Sequence, residues 1–192
     1  MSYYLNKNQQ IKLGINKTGK NCKISKKIRA YSLNCTIGNN VRIDDDVVLK
    51  GKIIINSNVH IARGCTLSGG KKGIILENFS TISNFCQVFT ESDDYLSTVV
   101  SGGTLNNKER RKFCKIYSKK VLIGKSVIVG PFSVILPGAE IKDFCTFGPY
   151  SCIYKKIKSG YYIYNTLQKK TILRKRNIIK LKKNYEKFFK NY

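Results

Sequence analysis

Ile123-Gly124-Lys125-Ser126-Val127, Val129-Gly130-Pro131-Phe132-Ser133 and Ile135-Leu136-Pro137-Gly138-Ala139 are successive copies of one short phrase. Each opens on an aliphatic residue and carries a small or β-branched residue four positions later. Outward from here the same rhythm covers Tyr31 to Ile153. An apolar residue returns at every sixth position through Tyr31, Ile37, Ile43, Leu49, Ile55, Ile61 and Leu67. After a three-residue slip it resumes at Leu76, Ile82 and Val88; after one long interruption it runs through Tyr117, Ile123, Val129, Ile135, Ile141, Phe147 and Ile153. The residue four later is Cys35, Val41, Val47, Ile53, Val59, Cys65, Ser80, Cys86, Val121, Val127, Ser133, Ala139, Cys145 or Ser151, with Lys71 at the slip the exception. Such a period belongs to neither an ordinary helix nor an ordinary strand.

A repeat this short cannot close a core alone and must stack on its neighbours. Three hexads make a triangular coil of about eighteen residues, with each aliphatic side chain over its equivalent one coil below. The small residue fits the tight corner. Gly38, Asp44, Asn56, Gly124, Gly130 and Gly148 follow the inward residue, and their types tolerate the backbone twist a corner requires. The pattern predicts an all-β fold, a parallel β-helix of about six coils with very short strands. An antiparallel sandwich would explain alternation but not an unbroken period of six.

The length of 192 residues suits one solenoid with terminal additions. The expected divisions are a helical cap over residues 1–17, the β-helix over 18–156 with a loop excursion at about 90–114, and a basic helical cap over 157–192. Residues 3–13, ahead of Gly14, predict a short helix over the first coil. Lys169 to Lys190 reads as a basic amphipathic helix, because Ile178, Leu181, Tyr185 and Phe188 recur at helical spacing. Capping an open coil end is its expected role; holding phosphate, or peripheral contact with an anionic membrane, are the alternatives. No signal segment or membrane-length apolar run is visible, so a cytoplasmic location is expected.

Seven cysteines raise the question of metal, but Cys35, Cys65, Cys86 and Cys145 occupy the small-corner position and no Cys-x-x-Cys pair exists. They read as small buried hydrophobes, and no metal is expected. The net charge of +25 admits three explanations: compositional bias, nucleic-acid binding, or polyanionic small ligands. Charge spread through the whole chain favours bias as background, and nucleic acid is not expected as a partner.

Loops leaving a rigid stack commonly carry function. One interruption is Ser68-Gly69-Gly70-Lys71-Lys72-Gly73; the other is the excursion, which opens with Glu91, Asp93, Asp94 and Tyr95. A loop of that length is usually there to cover a substrate. His60, the single histidine, immediately precedes inward Ile61, so its ring should point out from the coil wall. There it can act as general base or hydrogen-bond an acyl donor. One coil onward, allowing for the slip, His60 should stack close to Thr81. The next coil leads into the excursion, placing Asp93 and Asp94 on the same side, where a carboxylate can orient the ring or contact an amino sugar.

The phrases quoted at the start resemble the hexapeptide-repeat acyltransferases over about residues 18–156. That resemblance implies a left-handed parallel β-helix, a homotrimer with active sites between neighbouring subunits, and acyl transfer from acetyl-coenzyme A. The stretch Asn58-Val59-His60-Ile61-Ala62-Arg63-Gly64-Cys65-Thr66-Leu67-Ser68-Gly69 resembles the bacterial nucleotide-sugar N-acetyltransferases, where this histidine lies at the acetyl-donor site. Their catalytic histidine nine residues earlier is Gly51 here, and the loop histidine of the sugar O-acetyltransferases is also absent from Phe89-Thr90-Glu91-Ser92-Asp93-Asp94-Tyr95. Arg42-Ile43-Asp44-Asp45, Val59-His60-Ile61-Ala62 and Ser92-Asp93-Asp94-Tyr95 together look most like a subgroup that acetylates nucleotide-linked 4-amino-4,6-dideoxyglucose. An amine attacks in its neutral form and needs less help from a base than a hydroxyl does.

The resemblance also implies coenzyme A along the later coils, at Gly130, Ser133, Pro137, Gly138, Gly148 and Ser151, with Lys155, Lys156, Lys169 and Lys170 on its phosphates. His60, Asp93 and Asp94 are the catalytic candidates, and Glu91, Tyr95, Thr81 and Arg42 the acceptor-binding ones. The expected activity is N-acetylation of a nucleotide-linked amino sugar, dTDP-4-amino-4,6-dideoxyglucose, in surface-polysaccharide synthesis. The rivals are O-acetylation of a saccharide or lipid-linked glycan, and a non-catalytic basic solenoid binding anionic polymer or membrane.

Overall fold

The computed structural model describes residues 2–93, 103–165 and 171–190. Both repeat columns form the core: except at Tyr117 and Lys71, the aliphatic column from Ile37 to Ile153 and the small-residue column from Cys35 to Ser151 are buried. Each fully buried Ile or Leu contributes about 1.5–3 kcal/mol. The coils stack as parallel ladders on three faces.

The second face orders Lys23–Ile24, Arg42–Ile43, His60–Ile61, Thr81–Ile82, Ile128–Val129, Thr146–Phe147 and Tyr161–Asn165 side by side, with Thr171–Lys175 added antiparallel at the end. The first and third faces form one continuous sheet, because Arg29–Ile37 and Val48–Ile55 bend around their shared corner. The first face continues through Ile74–Leu76, Val121–Ile123, Glu140–Ile141 and Lys156–Ile157. The third continues through Thr66–Ser68, Gln87–Phe89, Val134–Ile135 and Cys152–Ile153.

The solenoid has about seven coils, one more than the repeat predicts. Its first coil, with Ile15, Ile24 and Ile28 buried, is hidden in the sequence because the ladder slips between Tyr31 and Asn34. Ser32 there takes a left-handed backbone, φ 45°. The slip turns Tyr31 outward, so it does not belong to the inward column. Tyr117 does not either: it lies exposed in the excursion, and only its phase coincides with the repeat.

The corners also differ from expectation. The left-handed residues stand three positions after the inward aliphatic one: Asn40, Asn58, Phe79, Ser126 and Phe144 between the first and second faces, and Asp46, Phe85, Phe132 and Tyr150 between the second and third. The glycine directly after the inward residue serves close approach instead. A Cβ on Gly130 would lie 2.6 Å from the Gly148 carbonyl carbon in the next coil. Corner side chains repeat from coil to coil, with Asn21 donating to Asn40 at 3.3 Å and Asn40 to Asn58 at 3.1 Å. On the other edge Phe85, Phe132 and Tyr150 stack with ring centroids 5.3 Å apart.

At the N-terminus a short helix, α1 (Lys7–Lys12), starts on a capping box between Asn6 and Gln9. Ahead of it Leu5 N–H donates to Ile24 O at 2.9 Å, pinning the segment to the first coil. The excursion leaves the third face after Gln87–Phe89 and returns to the first face at Val121–Ile123. Its arms, Glu91–Asp93 and Ile116–Ser118, pair antiparallel, and a second helix, α2 (Asn107–Phe113), precedes the return. Buried Thr90 anchors the exit: its amide and hydroxyl both donate to Ser68 O, at 3.0 and 3.1 Å, while Lys119 N–H donates to Thr90 O at 2.9 Å.

The C-terminus departs from the sequence reading. The helix α3 spans Ile178–Lys190, and Thr171–Lys175, read as its first turns, is a strand. The physical reason is the open edge of Tyr161–Asn165, whose unpaired backbone groups are met by a hairpin return. α3 then runs back along the corner between the first and second faces and not over the coil end. Arg176 Nη1 donates to Phe144 O at 2.9 Å, and Tyr185 and Phe188 meet Phe79 edge-on at 4.8 and 5.1 Å. Lys169 and Lys170 lie outside the described residues.

Candidate functional site

Alternation along a two-residue strand decides what the second face presents. Ile43, Ile61 and Ile82 point inward, so Arg42, His60 and Thr81 point outward, and the ladder sets the three in register on successive coils. His60 therefore stands directly over Thr81, half-buried on an otherwise regular wall.

The carboxylate beside the imidazole is Asp44, not Asp93. His60 Nε2 lies 2.8 Å from Asp44 Oδ2, and Arg42 Nε donates to Asp44 Oδ1 at 2.7 Å. Asp44 was legible as a corner residue and as part of a resemblance, yet a physical signal for its place beside the ring existed. It follows Arg42 by one alternation of the strand, and Arg42 is the coil equivalent of His60. Its two neighbours are engaged elsewhere. Asp45 accepts from Ser25 Oγ at 2.6 Å, from Lys27 Nζ at 3.1 Å and from the Tyr3 hydroxyl; Asp46 accepts from Arg63 Nε at 3.3 Å. The hydrogen bonds from Ser25, Tyr3 and Lys27 hold the Asp45 carboxyl down at about 2. The hydrogen bond to Asp44 raises the Arg42 guanidinium above its ordinary value.

Glu91 and Asp93 are elsewhere in the same chain. They form the first arm of the excursion, which springs from the sheet of the first and third faces, whereas His60 belongs to the second-face sheet. Within the chain, His60 is thus on a different face from the acids expected on its side. Glu91 takes a hydrogen bond from Ser118 Oγ at 3.3 Å and packs against Gly70. Asp94 and Tyr95 lie outside the described residues.

The expected donor-binding residues divide. Ser133 and Ser151 face inward; their hydroxyls donate to Gly130 O and Gly148 O, each at 2.7 Å. As small-corner residues they have no side chain for a ligand. Gly130, Gly148 and Pro137 are buried as well. Lys155 and Lys156 are exposed, but Lys155 lies over the Tyr154 ring and Lys156 pairs with Glu140 at 3.1 Å. Gly138 opens onto a cleft of about 510 Å³ lined also by Lys72, Ser118, Lys119, Lys120, Leu122 and Glu140. Those three lysines, missed in the sequence because Lys72 sits in the slip and Lys119 and Lys120 in the return from the excursion, converge beneath the excursion. Among the described residues no three metal-binding side chains cluster, and no helix is long and apolar enough to cross a membrane.

Known proteins share this repeat and this fold. A family described as bacterial transferase hexapeptide (six repeats) matches residues 34–69 and 120–155. A dTDP-4-amino-4,6-dideoxy-D-glucose acyltransferase of Escherichia coli is 31% identical over 154 residues, 78% of each chain. AntD, an N-acyltransferase from Bacillus cereus solved in complex with dTDP and 3-hydroxybutyryl-CoA, is 31% identical, covers 99% of this chain and 100% of its own, and superposes with a TM-score of 0.83. A variant of AntD in complex with dTDP-4-amino-4,6-dideoxyglucose and Coenzyme A is 30% identical over 97% of this chain and 98% of its own, with a TM-score of 0.81. Repeat, fold and full-length likeness agree, and the chain belongs to the bacterial hexapeptide-repeat acyltransferase family.

Proposed function

We propose that this chain is an acyl-coenzyme A-dependent N-acyltransferase that acylates the amino group of dTDP-4-amino-4,6-dideoxyglucose. The observation that carries the reading is likeness along the whole length, excursion and C-terminal segment included, to a protein solved with that amino sugar and coenzyme A. The local chemistry agrees. The neutral amine attacks the thioester carbonyl carbon, forming the C–N bond of a tetrahedral intermediate. His60 takes the excess ammonium proton and delivers it to the departing sulfur as the C–S bond breaks, leaving an amide and free coenzyme A. Thr81, in register with the ring, and Arg42, on the preceding coil, border this point.

The donor's phosphates fit the cleft of Lys72, Lys119 and Lys120, whose charge and concave shape suit a polyanion. Asp93 and Asp94 position the acceptor amine. His60 and the excursion arise from different sheets of one chain, and a homotrimer would bring the excursion of one copy to the histidine of the next. Outward aliphatic residues Ile54, Ile75 and Leu122, aligned on the first face, support such packing. The protein acts in the cytoplasm, where sugar nucleotides and acyl-coenzyme A meet, in surface-polysaccharide synthesis; acetyl is the acyl group expected first. Replacing His60 by Ala with folding intact should slow amide formation. Unchanged turnover would remove the histidine from the mechanism.

A further inference from the structure

We propose that Asp44 is a positioning residue that fixes the single histidine as its Nε2–H tautomer, leaving Nδ1 as the nitrogen that faces the reacting groups. The inference rests on the acyl-transfer reading above. An ionised carboxylate only accepts hydrogen bonds. Asp44 has one oxygen 2.7 Å from Arg42 Nε and the other 2.8 Å from His60 Nε2. In the neutral imidazole one ring nitrogen carries hydrogen and the other does not, so the nitrogen against Asp44 must be the protonated one. Nδ1 then holds the lone pair, and it has no partner among the described residues while the side chain stays 37% exposed.

The arrangement is specific to Asp44 within a run of three aspartates. Asp45 is turned back to Ser25 and Lys27 on the preceding coil and to Tyr3 of the N-terminal segment, and Asp46 forward to Arg63. Arg42 prevents Asp44 from swinging away, since its guanidinium shares the carboxylate with the ring. His60 and Asp44 sit on consecutive coils of one ladder, so their spacing is set by the stack and not by a loop. A base held this way meets the substrate in one orientation, and that pre-alignment is what a displaced side chain loses.

Because the protein has one histidine, nitrogen-15 labelling of histidine reports this ring alone. Above the imidazolium range the spectrum should show Nδ1 unprotonated and Nε2 protonated. Asp44→Ala should give a tautomer mixture. Under saturating substrates it should lower kcat by about 10- to 100-fold with KM for acyl-coenzyme A little changed, the loss expected of a mispositioned base. Asp44→Glu, which keeps the acceptor, should recover part of both signals. A wild-type spectrum with Nδ1 protonated, or an Asp44→Ala spectrum identical to wild type, would overturn the proposal; so would full kcat in Asp44→Ala. The spectrum needs no turnover, so failure to acylate any amino sugar would sink the functional reading without touching the tautomer.

Discussion

Gly130→Ala isolates what holds one coil to the next. The added Cβ would sit 2.6 Å from Gly148 C, 2.7 Å from Pro149 N and 2.8 Å from Gly148 O, all backbone atoms of the following coil. No side chain can move aside. Relief to an ordinary contact of about 3.4 Å means opening the coils locally by about 0.8 Å. The Gly130 N–H to Phe147 O bond, now 2.9 Å, would then stretch beyond useful length. A buried backbone pair left unmade costs about 1–3 kcal/mol, and overpacking strain adds about 1–3 kcal/mol. Against this stands a gain of about 0.4–1 kcal/mol from a stiffer unfolded chain. The net loss is about 1–6 kcal/mol, a fall in Tm of roughly 2–20 °C for a chain this size. Gly103→Ala is the control, since nothing lies within 4 Å of its Cβ; it should stay within about 0.5 kcal/mol of the parent. Urea unfolding of the two variants gives the comparison. Equal midpoints for Gly130→Ala and Gly103→Ala would refute inter-coil contact as the reason for glycine here.

Other outcomes follow from the same contacts. Asp45 is held at about 2 by its three donors, below the ordinary carboxylate value, so it stabilises the fold above that ordinary value and the contribution is lost as pH falls through about 2. Asp45→Asn should flatten the acid limb of a pH series of urea midpoints; an unchanged limb would mean the N-terminal tether is idle. Burial pushes the Cys35 thiol up to about 12, so at pH 8 iodoacetamide should label exposed Cys152 in the native protein and leave Cys35 unmodified, as peptide mass spectrometry would show. Equal labelling rates would contradict the buried corner. Phe79→Ala removes both edge-on ring contacts to α3, each worth about 0.5–1.5 kcal/mol, and should raise amide exchange through α3 while Ile61 and Ile82 stay protected. Uniform protection would place the anchoring of α3 elsewhere.

What the chain reveals by eye is whatever repeats. From Ile37 to Ile153 the aliphatic and small columns recur because each coil must place the same volume over the last, and that constraint is written at fixed spacing. Tyr31 and Tyr117 carry the right phase without the right environment: the ladder slips at Ser32, and Tyr117 belongs to a hairpin outside the stack. The glycines after the inward residue read as the twisted positions, whereas the twist falls two residues later, on Asn58 but equally on Phe132, an aromatic that composition does not single out. At the site, His60 and its register with Thr81 follow from counting. Its carboxylate does not, because Asp44 reaches it diagonally between coils and competes in the sequence with two identical neighbours. The C-terminal strand was read as helix because Thr171–Lys175 is a strand only through the partner it finds in Tyr161–Asn165.

The central claim is acyl transfer to a sugar amine on this solenoid. Incubating the purified protein with acetyl-coenzyme A and dTDP-4-amino-4,6-dideoxyglucose, and following thiol release together with product mass, tests it most directly. The account predicts one thiol released per sugar converted to its N-acetyl form, with the variant His60→Ala slowed. Thiol release and acetylation with a 4-hydroxy analogue, and none with the amine, would contradict it.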